Sequence, residues 1–147
     1  RAMRPDRVTL AALQAVLCLY TDTTRLVKEL PTLRLLTRDP VEIEKLAHRL
    51  AKVLQECLEL CEVTVESTYS QVGSGALPVD RLQSAALKIA RPDLRRPGKT
   101  LEKLAEAFRK LQTPVIGRIS SDALWFDLRC LEDEKGFVEN LQGLKVR

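Results

Sequence analysis

Catalysis by side chains needs acids, bases and nucleophiles close together, and this chain offers few such sets. Its single histidine, His48, stands in a stretch of Lys, Arg and Glu. A nucleophile needs a base beside it, so a lone imidazole in that setting reads as a solvated surface group. Cys57 and Cys61 are four residues apart and would share one face of a helix, as a metal pair does. No second ligand pair with zinc-like spacing accompanies them. Cys18, Cys57, Cys61 and Cys130 therefore read as buried, reduced thiols of a reducing compartment. Glu132-Asp133-Glu134 sits where a helix should begin, and carboxylates there favour the positive end of the macrodipole over acid–base work. Gly73-Ser74-Gly75 has two readings: its backbone amides cradle a phosphate, or it is a flexible turn between strands.

Two basic clusters remain. Arg95-Arg96 with Gly98-Lys99 is either a solvated loop or a loop that contacts phosphates. Arg1 and Arg4 lead into a helix N-terminus, where paired guanidiniums would offer an anion bidentate donors beside the positive end of a dipole. The plainer reading of the same pair is a solvated terminus. The Arg4-Pro5 step keeps Arg4 out of helical geometry.

The elements that would position these groups follow from periodicity. Pro5-Asp6 opens a helical pattern to Tyr20 in which Val8, Leu10, Ala11, Leu13, Ala15, Val16, Leu17 and Leu19 are apolar around most of the circumference. A helix apolar on nearly all sides lies between layers or joins one domain to another. A short helix over 25–30 follows, before Pro31. Asp39-Pro40, an N-cap followed by proline at the first helical position, starts a helix to about Glu59 with Val41, Ile43, Leu46, Leu50, Val53, Leu54 and Leu58 inward. Cys61, Val63 and Val65 then alternate with Glu62, Thr64 and Glu66, the pattern of a half-buried strand. A second strand is predicted over 84–90 and a third helix capped by Thr100, with Leu101, Leu104, Ala105 and Phe108 inward. After Pro114, strands over 115–120 and 123–129 form a hairpin around Ser121-Asp122, and 131–144 is a closing helix. This order predicts an α+β domain with a small, mostly antiparallel sheet covered by helices on one face.

Composition sets the outer bounds. The 147 residues suit one domain, and 45% apolar with 30% charged residues is ordinary for a globular protein. No apolar run approaches the roughly 20 residues that span a bilayer, so a membrane partner is not expected. Lys and Arg number 24 against 20 Asp and Glu, spread along the chain, which favours acidic partners only through the general field. A chain opening on Arg1 without an initiator methionine reads as a fragment or a processed product.

Five blocks carry a family resemblance. They are Thr9-Leu10-Ala11-Ala12-Leu13, residues 30–37 (LPTLRLLT), residues 73–82 (GSGALPVDRL), residues 114–119 (PVIGRI) and residues 124–134 (LWFDLRCLEDE). In order and spacing they resemble the bacterial selenocysteine synthases, the L-seryl-tRNA(Sec) selenium transferases, over nearly the whole chain. The resemblance implies the C-terminal small domain of an aminotransferase-like (fold type I) pyridoxal-phosphate enzyme. Residues 1–30 would be an interdomain helical segment and 31–147 the small α+β domain. Such enzymes convert seryl-tRNA(Sec) to selenocysteinyl-tRNA(Sec) with selenophosphate as donor, in the cytoplasm, as rings of dimers.

The family's Schiff-base lysine precedes a glycine pair in the large domain. None of Lys28, Lys45, Lys52, Lys88, Lys99, Lys103, Lys110, Lys135 or Lys145 has that context. The resemblance thus implies no catalytic or cofactor-binding residue here, no metal site, and no activity for this stretch alone. It does imply a role for the family's Arg-x-x-Arg, which matches Arg1 and Arg4: binding the phosphate-like selenium donor. An RNA-binding or interaction module without catalysis is the competing reading.

Overall fold

In the computed structural model, which describes residues 4–71 and 81–144, helices begin where short acidic side chains can take the first free N–H groups. Asp6 caps α1 (Arg7–Leu19), its carboxylate accepting from the Thr9 N–H at 2.9 Å. Asp22 caps α2 (Thr23–Glu29) in the same way. Asp39 caps α4 (Pro40–Cys57), with Pro40 at the first position as the Asp39-Pro40 step requires. Asp133 caps α6 (Glu134–Leu141), accepting from Gly136 N–H, so the acidic run does serve a helix start. Each such cap contributes about 1 kcal/mol.

Two helix starts differ from expectation. Pro31, read as a stop, instead occupies the first turn of α3 (Pro31–Leu36), where its missing N–H costs nothing. Thr100 does not cap α5 (Gly98–Arg109): the Pro97 carbonyl already accepts the Leu101 N–H at 2.9 Å, and Pro97 is the N-cap.

The strands are β1 (Glu62–Ser70), β2 (Leu82–Ala90), β3 (Arg118–Ser120) and β4 (Ala123–Asp127). They form one antiparallel sheet in the order β1-β2-β4-β3. Ser121 and Asp122 both have positive φ, 50° and 54°, as a two-residue turn matched to strand twist demands. Alternation turns Val63 and Val65, Ala85, Leu87 and Ile89, and Leu124 and Phe126 to one face. Ile43, Leu46, Leu50 and Leu54 of α4, Leu101, Leu104 and Phe108 of α5, and Phe137 and Leu141 of α6 join them in a single core. Helices thus cover one face of a small antiparallel sheet, the α+β arrangement the alternating periods predicted.

β1 runs four residues past the predicted strand end at 66, because polar Ser67–Ser70 still find partners on β2 down to Ser70↔Leu82. β3 is shorter than the predicted 115–120. Residues 114–117 instead lie against β4 without pairing, held by the Val115 N–H to Phe108 carbonyl bond at 3.1 Å and by the Asn140 amide on both backbone groups of Thr113. Gly117 makes that approach possible. A Cβ there would lie 2.6 Å from Phe126 Cε1 and 2.7 Å from the Trp125 carbonyl oxygen. Gly117→Ala is therefore expected to destabilise the protein by about 1–3 kcal/mol through overpacking, read as a lower urea midpoint at unchanged slope; an unaltered midpoint would refute the close approach.

The chain divides into two compact units, 1–38 and 39–147. In the first, α1 has no buried residue, and Leu10, Leu13 and Leu17 are 49%, 53% and 55% exposed.

Candidate functional site

Arg4 is exposed and stands ahead of α1; Arg1 lies outside the described residues. The end of α1 is not an empty anion site. The Asp6 carboxylate occupies it, bonded to the N–H and hydroxyl of Thr9 at 2.9 and 3.0 Å. Those bonds, the backbone one foremost, hold the Asp6 carboxyl below its usual range. Any anion held here would rest on the guanidiniums, with little left from the helix dipole.

In the second unit, His48 is exposed on α4, as a solvated histidine should be. The cysteines are free, but only Cys61 is buried; Cys18, Cys57 and Cys130 are exposed, against the expectation of four buried thiols. The reason is visible at α4: Leu58, one residue on from Cys57, takes the core position that continues from Leu54. Burial pushes the Cys61 thiol up, and the neighbouring Arg91 guanidinium offsets part of that. Among the described residues no three His, Cys, Asp or Glu side chains gather as a metal site would need. Arg95, Arg96 and Lys99 are exposed around the start of α5. Gly73-Ser74-Gly75 lies outside the described residues.

Sequence reasoning missed a polar cluster on the sheet face opposite the helices, where Ser70, Ser84 and Arg129 are buried. The Asp127 carboxylate accepts from the hydroxyls of Ser70 at 2.5 Å and Ser84 at 2.6 Å, and from the Arg129 N–H at 3.1 Å. The guanidinium of Arg129, only 2% exposed, donates to the Gln83 carbonyl. These donors come from β1, β2 and the end of β4, so the cluster ties three segments together. The signal available beforehand was slight, since Ser70 fell beyond the alternating stretch. Among the described residues the carboxylate's bonds are to two hydroxyls and a backbone N–H, which make the arrangement a structural lock.

Beside it Trp125 stands between two cations, Lys88 Nζ at 5.5 Å and Arg118 Cζ at 5.9 Å from the ring centre. Its indole N–H donates to the Ser120 carbonyl at 2.9 Å. Each cation–π contact contributes about 0.5–1 kcal/mol at such a site.

Two cavities open on the helical side. One, of about 750 Å³, is lined by Cys57, Cys61, Arg91, Lys103, Glu106 and Lys110. Two of its cations are paired, Arg91 with Asp93 and Lys110 with Glu106, at 2.8 and 2.7 Å. The other, of about 420 Å³, is mostly apolar, between Pro114, Val115, Ile116, Phe126, Leu131 and Phe137. No hydrogen bond among the described residues links Cys57 or Cys61 to a carboxylate or to His48 as an activated nucleophile would need.

Comparison with known proteins decides the chain's kinship. Residues 1–132 match the family described as L-seryl-tRNA selenium transferase. The chain belongs to that family.

Its relatives include the L-seryl-tRNA(Sec) selenium transferase of Klebsiella pneumoniae (strain 342), 53% identical over 141 residues, 96% of this chain. That of Yersinia pestis (strain Pestoides F) is 51% identical over 142 residues, again 96% of the chain. The matched stretch is 30% of the length of each relative. Most of the length of these selenium transferases thus lies outside the matched residues. Of the described lysines all are exposed except Lys88, which is engaged with Glu66 at 3.7 Å and with Trp125. No helix among the described residues is long and apolar enough to cross a membrane.

Proposed function

We propose that this chain is the C-terminal part of a pyridoxal-phosphate-dependent selenium transferase that converts seryl-tRNA(Sec) to selenocysteinyl-tRNA(Sec) with selenophosphate. Identity of 53% across 96% of the chain to an L-seryl-tRNA(Sec) selenium transferase carries this reading. Residues 1–30 serve as the interdomain helical segment, and α1, apolar on most sides and unburied, suits that role. Residues 31–147 form the C-terminal small domain. The intact enzyme works in the cytoplasm as a homo-oligomer, a ring of dimers.

No lysine of this chain precedes a glycine pair, which supports placing the cofactor's lysine anchor in the large domain. When bound there, pyridoxal phosphate supplies the electron sink for loss of the serine hydroxyl and addition of selenium. This chain contributes Arg1 and Arg4. A guanidinium presents a planar fork that matches two oxygens of a phosphate, which an ammonium cannot do. Two of them hold the donor's oxygens and set its selenium in reach of the acceptor.

Full-length enzyme and the 147-residue chain, each given pyridoxal phosphate, seryl-tRNA(Sec) and labelled selenophosphate, provide the test. The full-length protein is expected to form selenocysteinyl-tRNA(Sec), and the chain alone to show neither bound-cofactor absorbance nor product. Turnover by the chain alone would refute the placement of the chemistry, and an inert full-length protein would refute the function.

A further inference from the structure

The two edges of the sheet are treated differently. β3, at one edge, has three residues, Arg118–Ser120, too few to template another strand. β1, at the other, has nine, Glu62–Ser70, without proline, and it pairs residue for residue with β2 without a bulge. Short strands, prolines and bulges are the usual means of blunting an edge, and β1 uses none of them.

Hydrogen bonds show which groups of β1 face outward. The Val63 N–H donates to Gln55 Oε1 at 3.0 Å, and Gln55 Nε2 donates to the Cys61 carbonyl at 2.8 Å. The side-chain amide of Gln55 thus occupies the outer edge of β1 at its first outward positions, as a neighbouring peptide unit would. In an antiparallel ladder the direction alternates residue by residue, so Val65, Ser67 and Tyr69 also point their N–H and C=O groups away from β2. The far side of β2 agrees in parity: the Ala85 carbonyl, turned to β4, accepts the Leu128 N–H at 3.1 Å. Among the described residues no strand lies beyond β1.

We infer that the outer edge of β1, from Val65 to Tyr69, takes an added strand from the part of the selenium transferase outside this chain. Side chains define what that strand must look like. On the helical face it meets Val65, half-buried, and Tyr69, 57% exposed, and so carries apolar groups there. On the open face it meets Thr64, Glu66 and Thr68. The Glu66 carboxylate, 3.7 Å from Lys88, has oxygen lone pairs to spare for a second cation. The occupant is an extended segment of alternating apolar and basic residues, at least as long as the Val65–Tyr69 stretch. The relatives are about three times as long as the stretch matched here, since 141 residues make up 30% of one of them. A segment tethered in the same polypeptide has a millimolar effective concentration, which a second copy in dilute solution lacks. The inference needs only family membership, not the proposed chemistry.

Residue-resolved amide exchange on the full-length protein and on the 147-residue chain tests it. In the chain alone Thr64, Glu66 and Thr68 should exchange slowly and Val65, Ser67 and Tyr69 quickly. In the full-length protein the outward three should slow by roughly a hundredfold or more, to the rate of their neighbours. Ser67→Pro removes one outward N–H and leaves the ladder to β2 intact. In the full-length protein it should return Val65 and Tyr69 to the fast rate while Thr64 and Thr68 stay slow. Glu66→Lys should have the same direction of effect, and serves if the proline variant fails to fold. Fast outward amides in the full-length wild type would overturn the inference. So would slow ones in the chain alone that depend on its concentration, since the occupant would then be a second copy.

Discussion

Arg4→Ala in the full-length enzyme is expected to raise the KM for selenophosphate about 10- to 150-fold at saturating seryl-tRNA(Sec). Removing one charge-assisted partner of a phosphate costs about 1.5–3 kcal/mol, and 1.36 kcal/mol is a factor of ten. Arg1→Ala should act alike. Loss of the serine hydroxyl should change far less, because the proposal gives the seryl group to residues outside this chain. The split between the two steps is what a merely structural arginine would not produce. Asp6 sharpens the expectation. Its carboxylate already occupies the start of α1, so the helix dipole cannot make up for a lost guanidinium. Steady-state kinetics with the donor varied decides the matter. If both variants keep the wild-type KM, the two arginines are solvated residues and the donor is held elsewhere.

Phe108→Ala is expected to cost about 3–5 kcal/mol, a large part of the stability of a domain this size. Phe108 is fully buried, and its ring lies 4.8 Å from that of Phe126 at 58°. That contact joins α5 to β4, the strand carrying the Asp127 lock and the Trp125 stack. Its backbone carbonyl also receives the Val115 N–H, which helps seat residues 114–117 on the sheet. The cavity left by the ring therefore lies where three segments meet and cannot close by moving one of them. Urea unfolding of the 147-residue chain should show a much lower midpoint and an unchanged slope. A loss below about 1 kcal/mol would mean that the core collapses around the gap.

Much of the architecture was legible in short stretches. Asp39-Pro40 marked the start of α4, because capping and proline at the first turn depend on adjacent residues. The switch from Leu50 and Leu54 at helical spacing to Val63 and Val65 in alternation marked the step from α4 to β1. Ser121-Asp122 marked the β3–β4 turn, whose two positive φ values are a local requirement. Pro31 misled, since a proline ends one helix and begins another with equal ease. Cys57 misled for another reason: thiols are usually buried, but helical spacing gives the inward position to Leu58, buried as expected, and turns Cys57 to solvent. Val41, also expected inward, is 53% exposed in the first turn of α4.

Local chemistry, then, was enough for the kind of each element, for the α+β class and, through the pattern of its five blocks, for kinship with the selenium transferases. It placed Arg4 ahead of a helix, because the Pro5-Asp6 start signal lies in adjacent residues. The Asp127 cluster was beyond its reach. Ser70 and Ser84 stand 57 and 43 residues from Asp127, and only the β1-β2-β4 order brings their hydroxyls to one carboxylate. The open edge of β1 is of the same kind. Which backbone groups of Val65, Ser67 and Tyr69 are left without a neighbour depends on which strand lies beside β1 and which side Gln55 takes. A strand's own residues are the same whether it lies at the centre of a sheet or at its edge, so that distinction exists only once the chain has folded.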